Sequence, residues 1–241
     1  MNENKNQGLW REKVLAVAKG FYDRNIVDGT QEGNRIIGVE IIGGATGRPE
    51  KDYKNGKTAW CGYFVQCCYR AAGFNTGVTL ASPGKAMDVF GKYRSSALPG
   101  ASAFALDTRT GAIEPIKELH QRLGMLRTVS KVPGPVTPGD IVVYRADNGN
   151  SWQGHVMMAY AVSPDGKELT IIEGNSYKTI GPDGKKRDGV GTRVFHLDEP
   201  YLTGFISPSD LDFDPAYQYF STREKAEKAW AKLAAKGPAN G

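Results

Sequence analysis

Apolar residues recur at helical spacing near the start of the chain, at Trp10, Val14, Val17 and Phe21, and predict an amphipathic helix there. Cys61, Phe64, Val65, Cys68 and Ala72 share a second helical face, which predicts a helix over residues 58–72 with Thr58 as its cap and Gly73 as its stop. Between the two, residues 28–57 are rich in glycine and charge, with one β-like apolar run at 35–42. Ser82-Pro83 opens a shorter helix through Met87 and Phe90, and Ile116, Leu119, Leu123 and Leu126 mark another. From Pro138 the period becomes strand-like, over residues 140–144, 155–162, 168–173 and 192–197. Residues 201–220 read as an irregular wrap. The tail reads as a helix opened by a Ser221-x-x-Glu224 capping box, with Ala226, Ala229, Trp230 and Leu233 inward. Helices first and sheet second is an α+β plan.

Composition narrows the function. The 241 residues are 40% hydrophobic and 24% charged, an ordinary globular balance. The longest apolar run, residues 156–162, is far too short to span a bilayer, so no stable membrane insertion is expected. The polar start, with Lys13 and Lys19 breaking the next apolar stretch, predicts no cleavable signal peptide. The net charge of +5 is uneven, because residues 221–241 alone carry +3. A basic tail favours polyanions. With no stripe of arginines and aromatics to read bases, nucleic acid is not an expected partner. Three cysteines, two of them adjacent and none in a C-x-x-C pair, form neither a disulfide framework nor a zinc site. No cofactor or metal is expected.

Several motif fragments reduce to turns. Gly56-Lys57-Thr58 resembles the end of a phosphate loop, but Lys51 stands where its first glycine is required. Gly43-Gly44-Ala45-Thr46-Gly47 lacks the dinucleotide spacing. Asp210, Asp212 and Asp214 alternate like calcium ligands, but Pro215 and Ser221 replace the required Gly and Glu, which leaves a solvated acidic loop.

Cys61 is different. It falls in the first turn of a helix after a Gly- and Lys-rich loop, where unpaired N–H groups and the helix dipole favour a thiolate. Cys67 and Cys68 read as inert core. A nucleophilic thiol needs an imidazole to take its proton and a third group to orient that imidazole. His155 opens a strand directly after the polar loop 147–154, His196 ends a late strand and is its rival, and His120 sits on a charged helix. The turn Ser163-Pro164-Asp165-Gly166 suits a three-residue hairpin loop with a glycine bulge, in which Ser163 faces Lys167. On that register Met157 faces Glu173 and His155 faces Asn175, so His155, Glu173 and Asn175 project from one side of the sheet. A one-residue slip would turn Glu173 away.

Four pieces occur in order: Trp60-Cys61-Gly62-Tyr63-Phe64-Val65, Pro138-Gly139-Asp140-Ile141-Val142-Val143, Gly154-His155-Val156 and Ile171-Ile172-Glu173-Gly174-Asn175. The series resembles the CHAP amidase/peptidase domains, relatives of the NlpC/P60 cysteine peptidases within the papain-like fold. The resemblance covers roughly residues 58–197, with an unmatched stretch at 75–136. It implies an α+β papain-like core, with the nucleophile helix packed on an antiparallel sheet, and cleavage of amide bonds in bacterial peptidoglycan by phage lysins, autolysins or antibacterial effectors. Carried over by position, Cys61 is the nucleophile, His155 the base, Glu173 the orienting acid and Asn175 a fourth polar member. Trp60 stands where many members place a glutamine, which leaves Asn55 or Tyr53 as candidate oxyanion donors. The expected layout is an N-terminal extension over 1–57, a catalytic core over 58–200 and a C-terminal wrap with a basic helix over 201–241. Synthesis in the cytoplasm, with delivery to the wall by a route other than a signal peptide, would bring in an immunity protein or a secretion-machine component as partner. A protein-directed cysteine peptidase, an acyltransferase and a non-catalytic wall-binding module stay open as alternatives.

Overall fold

In the computed structural model the described residues are 9–54, 59–74, 104–115, 118–119, 122–123, 128–130, 136–145, 154–176, 179–199, 202–208, 210–220 and 222–235. The predicted helix at Ser82 and most of the one around Leu119 lie outside them, as does His120.

Helix α1 (Leu9–Asp23) buries Trp10, Val14, Ala18 and Phe21. The apolar run at 35–42 is helical, not the strand its residues suggest. Helix α2 (Gln31–Arg35), capped by the Thr30 side chain, continues as a π-helical segment (Ile36–Ile42) and then as α3 (Gly43–Thr46). Ile36, Ile37, Gly38, Ile41 and Ile42 are all buried. A run apolar on every side has no period with which to tell helix from strand, so packing decides. Gly38 is required there, because a Cβ would lie 2.1 Å from the Glu50 carbonyl oxygen.

Helix α4 (Cys61–Ala71) begins at Cys61, three residues later than the expected start. Trp60 flanks it in a non-helical conformation and supplies no side-chain cap, and Thr58 lies outside the described residues. The helix ends as expected, at Gly73 in the left-handed region (φ 100°).

The strands, numbered in chain order, are β1 (Phe104–Asp107), β2 (Ile113–Pro115), β3 (Thr128–Ser130), β4 (Ile141–Arg145), β5 (Gly154–Val162), β6 (Glu168–Glu173), β7 (Thr179–Ile180), β8 (Lys186–Arg187), β9 (Gly191–His196), β10 (Leu202–Ser207) and β11 (Tyr217–Phe220). Six form an antiparallel sheet in the order β3-β10-β4-β5-β6-β9. Strands β4, β5, β6 and β9 fall within a residue of the expected bounds. The expected wrap at 201–220 instead holds β10, a 3-10 turn (Asp210–Phe213) and β11. Strand β10 is hard to read in sequence because Gly204 interrupts it, and its pairing with β4 shifts between Leu202 and Gly204.

One face of the sheet, through Ile141, Val143, Val156, Met158 and Ile172, packs in a single core with Val14 of α1 and with Trp60, Phe64 and Val65 around α4. The opposite face gathers Val142, Met157, Ala159, Leu169, Ile171, Phe195 and Phe205. A smaller sheet, β11-β1-β2, carries the terminal helix α5 (Arg223–Ala234). Its cap is Thr222, not Ser221: Thr222 is extended and accepts from the Lys225 N–H. Ala226 is buried as expected, whereas Leu233 is exposed.

Asp140 is the joint between α1 and the large sheet. It is 2% exposed, and it accepts from Arg11 of α1 (2.6 Å), from Ser207 of β10 (2.5 Å) and from the Thr137 N–H (2.9 Å). Tyr69 of α4 donates to the adjacent Gly139 carbonyl. Asp210, one of the alternating acids, accepts from Trp10 Nε1 (2.7 Å) and so anchors α1 too. Among the described residues, no helix is long and apolar enough to cross a membrane.

Candidate active site

Two irregularities set the register of the β5–β6 hairpin. The turn keeps Gly166 left-handed (φ 69°) but closes one residue later than expected, with the Ser163 N–H donating to Glu168 O (2.9 Å). Val162 therefore faces Leu169 and Ala161 faces Thr170, one step out of the expected register. A bulge at Tyr160 takes up the extra residue, and Ala159 then faces Ile171 and Met158 faces Ile172. The expected alignment at the His155 end is thus reached by two offsetting steps rather than by a three-residue loop.

Beyond Met158 and Ile172 the β5–β6 pairing stops, while β5 runs on to Gly154. The first turn of α4 meets β5 there. Gly174 makes this approach feasible, since a Cβ at that position would lie 2.5 Å from the Trp60 ring and 2.6 Å from Phe64 Cβ. The buried Cys61 thiol lies within interaction range of the His155 imidazole and of the backbone N–H groups of Val156 and Gly62. His155 Nε2 contacts Glu173 Oε2 at 2.8 Å, which leaves Nδ1 as the nitrogen for the thiol.

The electrostatics follow from these contacts. Burial alone pushes the Cys61 thiol up, but the hydrogen bond and charge of His155, with the two amides, outweigh it and hold the thiol below its ordinary value. Burial likewise opposes the imidazolium, yet Cys61 and Glu173 lift His155 to about 9. Glu173, only 2% exposed, is pushed up by burial and pulled further down by His155, Arg193 and Ser176. Ser176 Oγ donates to its Oε1 (2.9 Å), and Arg193 approaches its Oε2 (3.2 Å). The other two thiols go the opposite way. Burial, helped by the Glu40 charge, pushes Cys67 to about 11, and burial pushes Cys68 well above the ordinary thiol value.

Of the residues singled out in the sequence, Cys61, His155 and Glu173 come together. Asn175, two residues after Glu173, sits in the left-handed region (φ 62°). His196 is exposed on the last residue of β9 and pairs with Glu168 (3.9 Å), where β6 begins, far along the sheet from Glu173. Tyr53 is not free to serve as a donor: its hydroxyl is buried and given to Asp28 Oδ2 (2.9 Å). Asn55 lies outside the described residues. Arg193 and Ser176 carried no sequence signal of their own. Only the register, which sets Ile171 opposite Arg193, could have pointed to the arginine. The arrangement can hold a thiolate–imidazolium pair at a helix start, the starting state of nucleophilic acyl chemistry.

No family model and no curated protein matches the chain. Among solved structures it is similar to crystal structures of Ly7917. The structure of Ly7917 with the hydrolyzing product of MDP is 31% identical over 34% of this chain and 31% of that one, with a TM-score of 0.24. A second Ly7917 structure is 19% identical over 82% of this chain and 62% of that one, with a TM-score of 0.37. The chain spans less than two thirds of the length of either.

Proposed function

We propose that this protein is a cysteine amidase or endopeptidase that cleaves amide bonds of bacterial peptidoglycan, built on a papain-like core of the CHAP and NlpC/P60 kind. The observation that carries the chemistry is the chain of contacts from the Cys61 thiol through His155 to Glu173 at 2.8 Å. The wall substrate rests on the four ordered motif pieces around those residues.

In this reading the Cys61 thiolate attacks the scissile carbonyl carbon, and the oxyanion forms beside the backbone N–H of Cys61 at the uncapped start of α4. The C–N bond breaks as His155 gives its Nδ1 proton to the leaving amine, which leaves a thioester on Cys61. Water then gives a proton to His155 and attacks the thioester. The C–S bond breaks, the acid leaves, and the thiolate–imidazolium pair is restored. Glu173 holds the imidazole by Nε2 throughout.

Purified cell walls test the reading. The protein should lower their turbidity and release fragments with new amine and carboxyl ends by mass spectrometry, and Cys61→Ser should release none. Wall fragments with new reducing sugar ends instead, or an active Cys61→Ser variant, would overturn it.

A further inference from the structure

Glu173 is held by more than the histidine. On β9, Arg193 faces Ile171, so it projects from the same face of the sheet as Glu173 and lies diagonal to it. Its guanidinium lies over the Phe195 ring (4.2 Å to the centroid) and beside Met157 Sδ (3.6 Å). That packing aims one N–H at Glu173 Oε2 (3.2 Å), the oxygen that His155 Nε2 also contacts. Among the described residues the buried Nε of Arg193 has no acceptor. A guanidinium half-sunk against an aromatic ring with an orphaned N–H is not optimised for its own hydrogen bonding. Among the described residues its oxygen partner is Glu173.

We infer that Arg193 is a positioning residue of this site, whose guanidinium balances and orients the Glu173 carboxylate so that Glu173 in turn fixes His155 against Cys61. The inference rests on the reading of Cys61 as a nucleophile. Charge balance supports it. Thiolate, imidazolium, carboxylate and guanidinium sum to zero in a buried cluster, whereas without Arg193 the other three sum to minus one. An uncompensated negative charge in a low-dielectric site is relieved by taking up a proton, and the thiolate is one of the groups that can do so. The remaining groups near the cluster do not replace the cation. Ser176 is neutral, and Asp188, backbone-bonded to Asp28, is a further acid and supplies no positive charge.

The rate of Cys61 alkylation by iodoacetamide against pH, with the label located by mass spectrometry, tests this without any substrate. Arg193→Met should move the midpoint of thiolate formation up by about one pH unit. Below the midpoint this slows labelling about tenfold at fixed pH. Arg193→Gln is run beside it so that a folded neutral variant is in hand, with near-UV circular dichroism as the check on folding. Arg193→Lys, which keeps the charge and loses the fork, should restore most of the shift. In a Glu173→Gln background, Arg193→Met should add no further shift. Superposable wild-type and neutral-variant profiles would overturn the inference, as would a lysine variant shifted as far as methionine or a shift that persists without the carboxylate. A wild-type Cys61 that titrates like an ordinary thiol would instead remove the nucleophile reading and the inference with it.

Discussion

Glu173 and Asp140 are near twins with different jobs. Each carboxylate is 2% exposed, and each is bonded to one arginine and one serine. They differ in the third partner. Asp140 takes the Thr137 N–H, a donor that never gives up its proton at ordinary pH. Glu173 takes an imidazole that itself contacts a thiol. The Asp140 set ties α1, a turn and β10 into one joint, whereas the Glu173 set holds a mobile proton between two titratable groups. Burial and pairing alone therefore do not mark a site, because structural ion-pair networks have both. The partner's ability to exchange a proton does.

The contrast is sharpest under exchange of each acid for its amide. Glu173→Gln should lower turnover by about two to four orders of magnitude, since the orienting charge on His155 is lost. Its melting temperature should fall only modestly. Asp140→Asn should do the reverse. Leaving Arg11 half-buried without its carboxylate should cost about 3–5 kcal/mol of stability, while the folded fraction keeps its kcat/KM. A stable but inactive Asp140→Asn variant, or a Glu173→Gln variant that unfolds and keeps its specific activity, would break the comparison.

A smaller effect appears in pH dependence. Activity should fall as pH rises through about 9, where His155 loses its proton and the ion pair collapses. The folded-state value of His155 is raised. Its pairing therefore stabilises the fold fully below the ordinary imidazole range, near about 6.5, and that contribution is lost as pH climbs through about 9. Glu173 is depressed, so its contribution is present above the ordinary carboxylate range and lost in acid. Kinetic and thermal-melt profiles of Asp140→Asn should keep both trends, and Glu173→Gln should lose the second and move the first to lower pH, because Glu173 helps to raise His155. Smallest of all is Cys67→Ser, which should leave activity within about twofold, because that thiol is buried, pushed to about 11 and bonded to the Glu40 carbonyl. A large kinetic loss at Cys67 would show that the two turns of α4 are not chemically distinct.

Much of this was legible in the chain. Strands β4, β5, β6 and β9 follow from short apolar runs bounded by turn residues, and the juxtaposition of His155 with Glu173 follows from register. The route to that register was not legible, because a turn one residue longer and a bulge at Tyr160 cancel, and neither leaves a mark in the sequence. The 35–42 run misleads because it is apolar all round, and β10 because Gly204 breaks it. Arg193 looks like one exposed charge on an edge strand until β9 is paired with β6. Asp140 belongs to a motif piece that resembles a hydrolase family, yet its contacts are architectural.

A trapped intermediate tests the central claim most directly. The protein, mixed with soluble peptidoglycan fragments and quenched in acid within the first turnovers, should carry an acyl group on the peptide containing Cys61. The mass gain should equal the released acid less one water, and it should be absent in Cys61→Ala. Product formation with no acyl group on Cys61, or an acyl group on Cys67 or Cys68 instead, would contradict the account.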